Sequence, residues 1–369
     1  MKLNRLLSIG KTVIKTPVYL AQIFTSAKSF SANPIIGSRV LNILGLHVFR
    51  TVLAALITRF RQFALRGFVS AEQRAAYLRD GYLLIENYLP QEQFESLNTE
   101  VRGLRGEVRE CVQGDTLTQR ILLNDRVLAA MPACKRLLNG KCFGRLLRYA
   151  ASRNTSPIYY VQSIKSNVID GPVDPQRTLH SDTFHSTMKA WLFLDDVSDH
   201  NGPFTYVPGS QRLSLKRLKW EYENSIRGST LENSYAARGS LRVSDDDLQA
   251  MGMQQPMVCK VPANTLVIAN TNGFHRRGAA SEVSNRMEIW AYSRSNPFNP
   301  MPGFNLSWYT RLSHAAIEKF LYRQDQKAAT RGAVASWHLV GENALHEMPN
   351  DLTVTDPEKE SDQRVADVA

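Results

Sequence analysis

The sequence predicts an α+β fold with a mainly β core, a sandwich or jelly-roll barrel flanked by helices and preceded by a basic, apolar, helical N-terminal segment. Three observations carry this expectation. From about residue 155 the chain breaks into short runs rich in branched and aromatic residues, the composition that suits a pleated, half-buried surface. Turn formers separate these runs: Asn201-Gly202-Pro203, Pro208-Gly209-Ser210, Pro262-Ala263-Asn264 and Asn272-Gly273. Residues 1–71, by contrast, hold ten Lys or Arg and no Asp or Glu.

In that first segment (1–70) the apolar run from Val40 to Thr58 is interrupted by His47 and Arg50. Neither side reaches the ~18 uncharged residues that a spanning helix needs. Arg39, Arg50 and Arg61 recur every eleven residues, so on a helix they return to nearly one azimuth. Leu41, Val48, Phe49, Val52, Leu53 and Leu56 gather on another arc. A helix lying in the headgroup plane, with peripheral membrane contact through residues 1–65, fits this pattern. Two other readings also fit: a helix packed on the body with its arginines in water, or a mitochondrial presequence, which is Arg-rich and acid-poor. The first fifteen residues show no clean apolar stretch of a secretory signal.

The body is expected over 71–296. Residues 72–80 read as a helix ending at Gly81, Tyr82–Ile85 as a strand, and Pro90 opens a helix carrying Phe94, Leu97 and Val101 at spacings of three and four. A mixed stretch follows to about residue 155. Strands are then predicted at Ile158–Ile164, Ala190–Val197, Phe204–Val207, Met257–Val261, Thr265–Asn270 and Met287–Ser293. Residues 211–256, charged and less regular, read as an insertion, either a lid over the cavity mouth or a surface loop. Residues 297–349 form a helical extension with a Pro-rich turn and a helix from about Ser307 to Thr330. The acidic tail 350–369, with six acids against two bases, is expected to be disordered.

At 369 residues with 43% hydrophobic content, the chain can fill one large core with appendages, or two domains. Its net charge of +11 sits in one apolar terminal segment, so a membrane surface or a targeting role is expected rather than nucleic acid. Cys111, Cys134, Cys142 and Cys259 form no C-x-x-C pair, which points to a reducing compartment. The expected location is cytoplasmic, peripheral at the inner face of a membrane, with a mitochondrial alternative.

The chemistry is carried by His180-Ser181-Asp182. Residues two apart on an extended chain project from one face, so an imidazole and a carboxylate can share a metal ion. His275 would close the set. Two His and one carboxylate leave the opposite face of the metal open, the arrangement of non-haem Fe(II) oxygenases. His185 competes with His180, but its offset of three from Asp182 would turn it to the other strand face. Trp191, Phe193 and Tyr206 read as core, and Lys189 as a residue that could face the cavity. Arg212, Lys216, Arg217, Lys219 and Arg227 in the lid either receive an anionic substrate or form a solvated face.

Leu78-Arg79-Asp80-Gly81-Tyr82-Leu83-Leu84-Ile85, Leu179-His180-Ser181-Asp182, the two Gly-Pro turn regions, Asn272-Gly273-Phe274-His275 and Arg286 occur in an order and spacing that resembles the phytanoyl-CoA dioxygenase family of Fe(II)/2-oxoglutarate oxygenases, over roughly 72–295. The resemblance implies a double-stranded β-helix (jelly-roll, cupin-like), with His180, Asp182 and His275 as iron ligands. It implies that Arg286 pairs with the far carboxylate of 2-oxoglutarate, a task suited to a planar, permanently charged fork. Gln162, Lys165 and Asn167 are candidates for the other end of the co-substrate. Arg277 stands where many relatives have a small residue; it either adds to carboxylate binding or marks a different local geometry. The implied reaction consumes dioxygen and 2-oxoglutarate, releases succinate and CO2, and hydroxylates a C–H bond; the carboxylate of Asp182 favours hydroxylation over halogenation. The substrate is expected to be a small molecule or a lipid-linked, amphiphilic one. A catalytically silent family member that serves as a membrane-associated binding module, and a zinc hydrolase, are the alternatives.

Overall fold

A computed structural model of the chain describes residues 15–348. Its centre is an eight-stranded antiparallel sheet in the order β1-β8-β5-β10-β4-β3-β2-β11. The strands are β1 (Tyr82–Ile85), β2 (Arg105–Gln113), β3 (Thr116–Leu122), β4 (Ile158–Ser166), β5 (Met188–Phe193), β8 (Leu266–Asn270), β10 (Ser284–Ser293) and β11 (His338–Ala344). A second sheet, ordered β7-β6-β9, joins β6 (Phe204–Tyr206), β7 (Met257–Val258) and β9 (His275–Arg277). Together they form the expected mainly β, jelly-roll core with flanking helices.

Strand parity sorts the side chains. On β5, Met188, Ala190 and Leu192 join the core beneath the covering helices, whereas Trp191 and Phe193 turn to the small sheet and meet Phe204, Tyr206 and Val261. The helical layer includes Ala71–Asp80 and Gln91–Arg102, the latter burying Phe94, Leu97 and Val101. Ser70 caps the first of these reciprocally with Gln73, and Gly81 ends it at φ +86°. A Cβ at Gly81 would collide with the Tyr206 hydroxyl, so the turn also permits close packing of β1 on the small sheet. Truncating Leu192, fully buried in this layer, to Ala is expected to cost about 2–5 kcal/mol.

Several expectations are corrected. The stretch before residue 155 contains the β2–β3 hairpin, and the C-terminal extension is not wholly helical: after the Ser307–Ala329 helix, β11 pairs with β2 at the sheet edge. The insertion 211–256 is no free lid. Trp220, Leu241, Val243 and Leu248 pack with Phe30 and Ile36 of the N-terminal segment and with Phe274 beside the site. Arg217 is fully buried against Glu221, and Arg212, Lys216, Lys219 and Arg227 lie on the exterior, so this group does not line the cavity.

The N-terminal segment is inverted relative to the expected basic stripe. In the Leu46–Ala64 helix, Arg50 and Arg61 are each only 1% exposed. Arg50 donates to the carbonyls of Ile23 (2.8 Å) and Ala27 (2.6 Å), and Arg61 to that of Asn299 (2.6 Å) and to Ser152 Oγ (3.0 Å). Burial lowers the Arg50 pKa to about 10, which keeps it charged at neutral pH. Arg50 and Arg61 therefore face neither water nor headgroups, whereas Arg39 is exposed; Arg50 ties the helix to the preceding loop of its own segment and Arg61 ties it to Ser152 and the C-terminal extension. Among the described residues no helix is long and apolar enough to cross a membrane. Residues 1–14 of this segment, and the tail 350–369, lie outside the described residues.

Candidate metal centre

His180 enters from isolated bridges, to Arg242 on one side and His275 on the other, rather than from a continuous strand: it exchanges backbone hydrogen bonds with His275, the first residue of β9, at 3.0 and 2.9 Å. The chain then leaves the ladder, and Asp182 is fixed by its N–H on the Thr271 carbonyl (2.9 Å). Lys28, from the N-terminal segment, donates to the Asp182 carbonyl at 2.6 Å. Asp182 Oδ1 lies 3.8 Å from His180 Nε2 and 3.6 Å from His275 Nε2, and one ligand atom from each of the three residues falls within 4.8 Å of the others.

The two imidazoles are oriented alike. His180 Nδ1 lies 2.8 Å from the Thr178 carbonyl and His275 Nδ1 2.9 Å from the Gly273 carbonyl, so each Nδ1 carries the proton and each Nε2 presents a lone pair inward. His275 Nε2 is buried and has no hydrogen-bond partner in the protein. Burial, then the nearby His275 and Arg242, hold the His180 pKa well below its ordinary value, leaving a neutral ring. Burial alone would raise Asp182; the Lys189 ammonium and His275 overcome it and hold the carboxyl well below its usual range. A neutral His180 imidazole, an ionised carboxylate and the orphaned buried Nε2 of His275 are the donor set that a divalent transition metal requires.

His185 is buried, but its Nδ1 lies against the Ser186 carbonyl and it is not part of the cluster. It stands in an irregular segment after the bridge, so the strand-face argument does not describe its position.

A cavity of about 200 Å³ opens from the triad, lined by Gln162, Arg277 and Arg286 among others. Arg286, on β10, is buried; its Nε donates to Glu288 Oε2 (3.0 Å) and Nη1 to the Gly202 carbonyl (2.5 Å). Arg277 pairs with Asp174 at 2.7 Å. Lys165 and Asn167 do not line the cavity, which corrects two of the three candidates for the other end of the co-substrate. Lys165 leaves β4 on the opposite face from Gln162 and donates to Gln119 Oε1 (2.6 Å) and the Glu347 carbonyl (2.5 Å). Asn167, at φ +57° just past the strand, donates to the carbonyls of Ala280 and Glu282.

Sequence reasoning missed Arg120 on β3. Its guanidinium lies between the rings of Trp290 (3.9 Å) and Trp337 (4.3 Å), and its Nε donates to Gln162 Oε1 at 2.6 Å. Gln162 in turn donates to Glu288 Oε1 at 2.5 Å, linking Arg120 to Arg286 through a polar chain. Trp337 arrives from the C-terminal extension, and no local motif announces it. Trp191, expected in the core, also lines the cavity.

Residues 77–259 match the model of the phytanoyl-CoA dioxygenase (PhyH) family. The chain is 27% identical over 265 residues to ectoine dioxygenases of Bordetella parapertussis and Bordetella bronchiseptica, covering 68% of this chain and 83% of each relative. Among solved structures it is similar to EctD from S. alaskensis with bound Fe, at 16% identity and a TM-score of 0.39, covering 66% of this chain and 84% of that one. HygX from Streptomyces hygroscopicus with nickel and 2-oxoglutarate bound is 18% identical with a TM-score of 0.39, covering 61% and 86%.

Proposed function

Because the chain belongs to the phytanoyl-CoA dioxygenase family and is a 2-oxoglutarate-dependent non-haem iron dioxygenase, we propose that it hydroxylates a C–H bond of an anionic amphiphile, lipid-linked or free. In the balanced reaction one atom of dioxygen enters the new hydroxyl and the other enters succinate, with CO2 leaving from 2-oxoglutarate.

The observation that carries this reading is the complete triad at the mouth of a cationic cavity. Five cations, Arg120, Lys189, Arg276, Arg277 and Arg286, line it against one carboxylate, Asp182. Held by His180, Asp182 and His275, ferrous iron would supply the redox couple that joins dioxygen to decarboxylation of the 2-oxo acid. Arg286 is suited to anchor the far carboxylate: Gly202 and Glu288 fix its plane, and its remaining N–H groups belong to a cavity-lining side chain. Arg277, on β9 of the small sheet, also lines the cavity, paired with Asp174. Lys189 holds the Asp182 carboxylate ionised and oriented. Trp191, Phe204 and Trp290 supply apolar wall for the carbon skeleton and limit water at the reacting bond.

Lys189, Arg277 and Arg286 are each paired with a carboxylate, Asp182, Asp174 and Glu288, so the positive charge exceeds what one dianionic co-substrate needs only with the charge of ferrous iron added; that remainder supports an anionic substrate. The acid-free N-terminal segment supports delivery at a membrane surface inside the cell. No ligand of the triad is missing, so nothing favours a catalytically silent member, and a zinc hydrolase would leave Arg286 without a task. The test is succinate formation in air with Fe(II) and 2-oxoglutarate, followed by incubation with a lipid extract and a search for a product heavier by one oxygen. Succinate that forms with Fe(II) and not with Zn(II) supports the reading; its absence with Fe(II) contradicts it.

A further inference from the structure

We infer that the outward face of the Leu46–Ala64 helix is a docking surface for an anionic lipid bilayer. The helix buries its polar side and exposes its apolar one. Phe49, Leu56, Phe60 and Phe63 are 53, 60, 58 and 64% exposed, and at 100° per residue they fall within about 60° of arc. His47, Arg50, Ala54, Thr58 and Arg61 occupy the opposite arc and are buried. This is the reverse of a helix that merely covers a core.

The orientation is locked. Arg50 is bonded to the Ala27 carbonyl of the preceding loop, Arg61 to the Asn299 carbonyl of the C-terminal extension, and His47 Nε2 lies 2.9 Å from the buried Glu221 carboxylate. Rolling the apolar arc inward would break all of these. Val40 and Ile43 on the preceding Arg39–Ile43 helix, and Leu44 that caps it, are exposed as well. An apolar surface of this extent on one short segment marks an interaction site.

Charge selects the occupant. Arg39, Arg59 and Arg66 are exposed on this segment, Arg66 lies over the Phe63 ring, and no acid occurs before Glu72. Two copies meeting through this face would bring like charges together with no acid to pair them. Anionic headgroups neutralise the same bases while the aromatic arc enters the acyl boundary. Neither contact needs Arg50 or Arg61 at the surface. The segment also backs the metal site: Lys28 holds the Asp182 carbonyl, and the Arg50 guanidinium lies 4.3 Å from the Phe184 ring centroid. A docked bilayer would therefore sit behind the loop that carries Asp182.

The inference does not depend on the catalytic reading, and the experiment keeps the two apart. The full chain is sedimented with vesicles of phosphatidylglycerol and phosphatidylcholine, and with phosphatidylcholine alone. The expected result is binding to the anionic vesicles that weakens with salt. In the double variant Phe60→Ser/Phe63→Ser, partitioning should fall at least about tenfold, while the Fe(II)/2-oxoglutarate absorption band, which reports the folded site, is unchanged. Arg59→Glu/Arg66→Glu should lose the preference for anionic vesicles. Equal binding to neutral vesicles, unaltered binding by the Phe variant, or a wild-type dimer that the Phe variant converts to a monomer would each overturn the inference.

Discussion

Lys189 Nζ lies 2.7 Å from Asp182 Oδ2, on the side of the carboxylate away from the two histidines, as a close ion pair rather than a well-aligned hydrogen bond. With Oδ1 turned to both imidazoles, the pair assigns one oxygen to the metal and the other to the protein. Lys189→Met should therefore weaken Fe(II) binding by roughly 10–100-fold, the usual effect of losing a partner of a metal ligand. Titration of the anaerobic protein with Fe(II) measures this. Lys189→Arg, which keeps the charge, should restore part of the affinity.

Glu221 provides the pH prediction. Burial would raise its pKa, but Arg217 and His47 lower it to about 2. The folded value lies below the unfolded one, so its stabilisation is complete above the unfolded carboxylate range near ~4.3 and is lost as pH falls toward the folded value. Chemical denaturation between pH 6 and 2.5 should show that loss, on the order of 3 kcal/mol, and Glu221→Gln should flatten this contribution. The same variant leaves the Arg217 charge uncompensated and should cost about 3–5 kcal/mol at neutral pH.

Arg286 and Lys165 should separate cleanly. Arg286→Lys keeps the charge but loses the planar fork, and the KM for 2-oxoglutarate should rise by at least about tenfold. Lys165→Met alters a side chain directed to Gln119 and Glu347 on the other face of β4, and the same KM should stay within about twofold. Steady-state succinate release measures both.

Much of this site is legible in the sequence because its signals are local. The β-branched and aromatic runs at 158–166, 188–193 and 266–270 are central strands, and their turns carry glycine where the backbone needs it, as at Gly202 with φ +70°. Strand parity could have removed Lys165, which stands an odd number of residues from Gln162. The hairpin β2–β3 was hidden because Arg105–Gln113 mixes charges into both faces, and β11 because Gly341 and Glu342 break the apolar alternation at an edge strand. Helical periodicity located the two arcs of the Leu46–Ala64 helix but not their sense. Only the carbonyls of Ile23, Ala27 and Asn299, distant in sequence, make it favourable to bury the arginines. Arg120 and Trp337 meet through tertiary pairing, with more than two hundred residues between them, so no spacing rule could join them.

The central claim is that His180, Asp182 and His275 hold ferrous iron with 2-oxoglutarate beside Arg286. Anaerobic addition of Fe(II) and 2-oxoglutarate to the full chain tests it most directly, by visible absorption. A weak charge-transfer band should appear with the wild type, vanish in Asp182→Ala, and require a higher 2-oxoglutarate concentration in Arg286→Lys. A wild-type protein that remains folded and shows no band, or an Asp182→Ala protein that keeps it, would contradict the assignment.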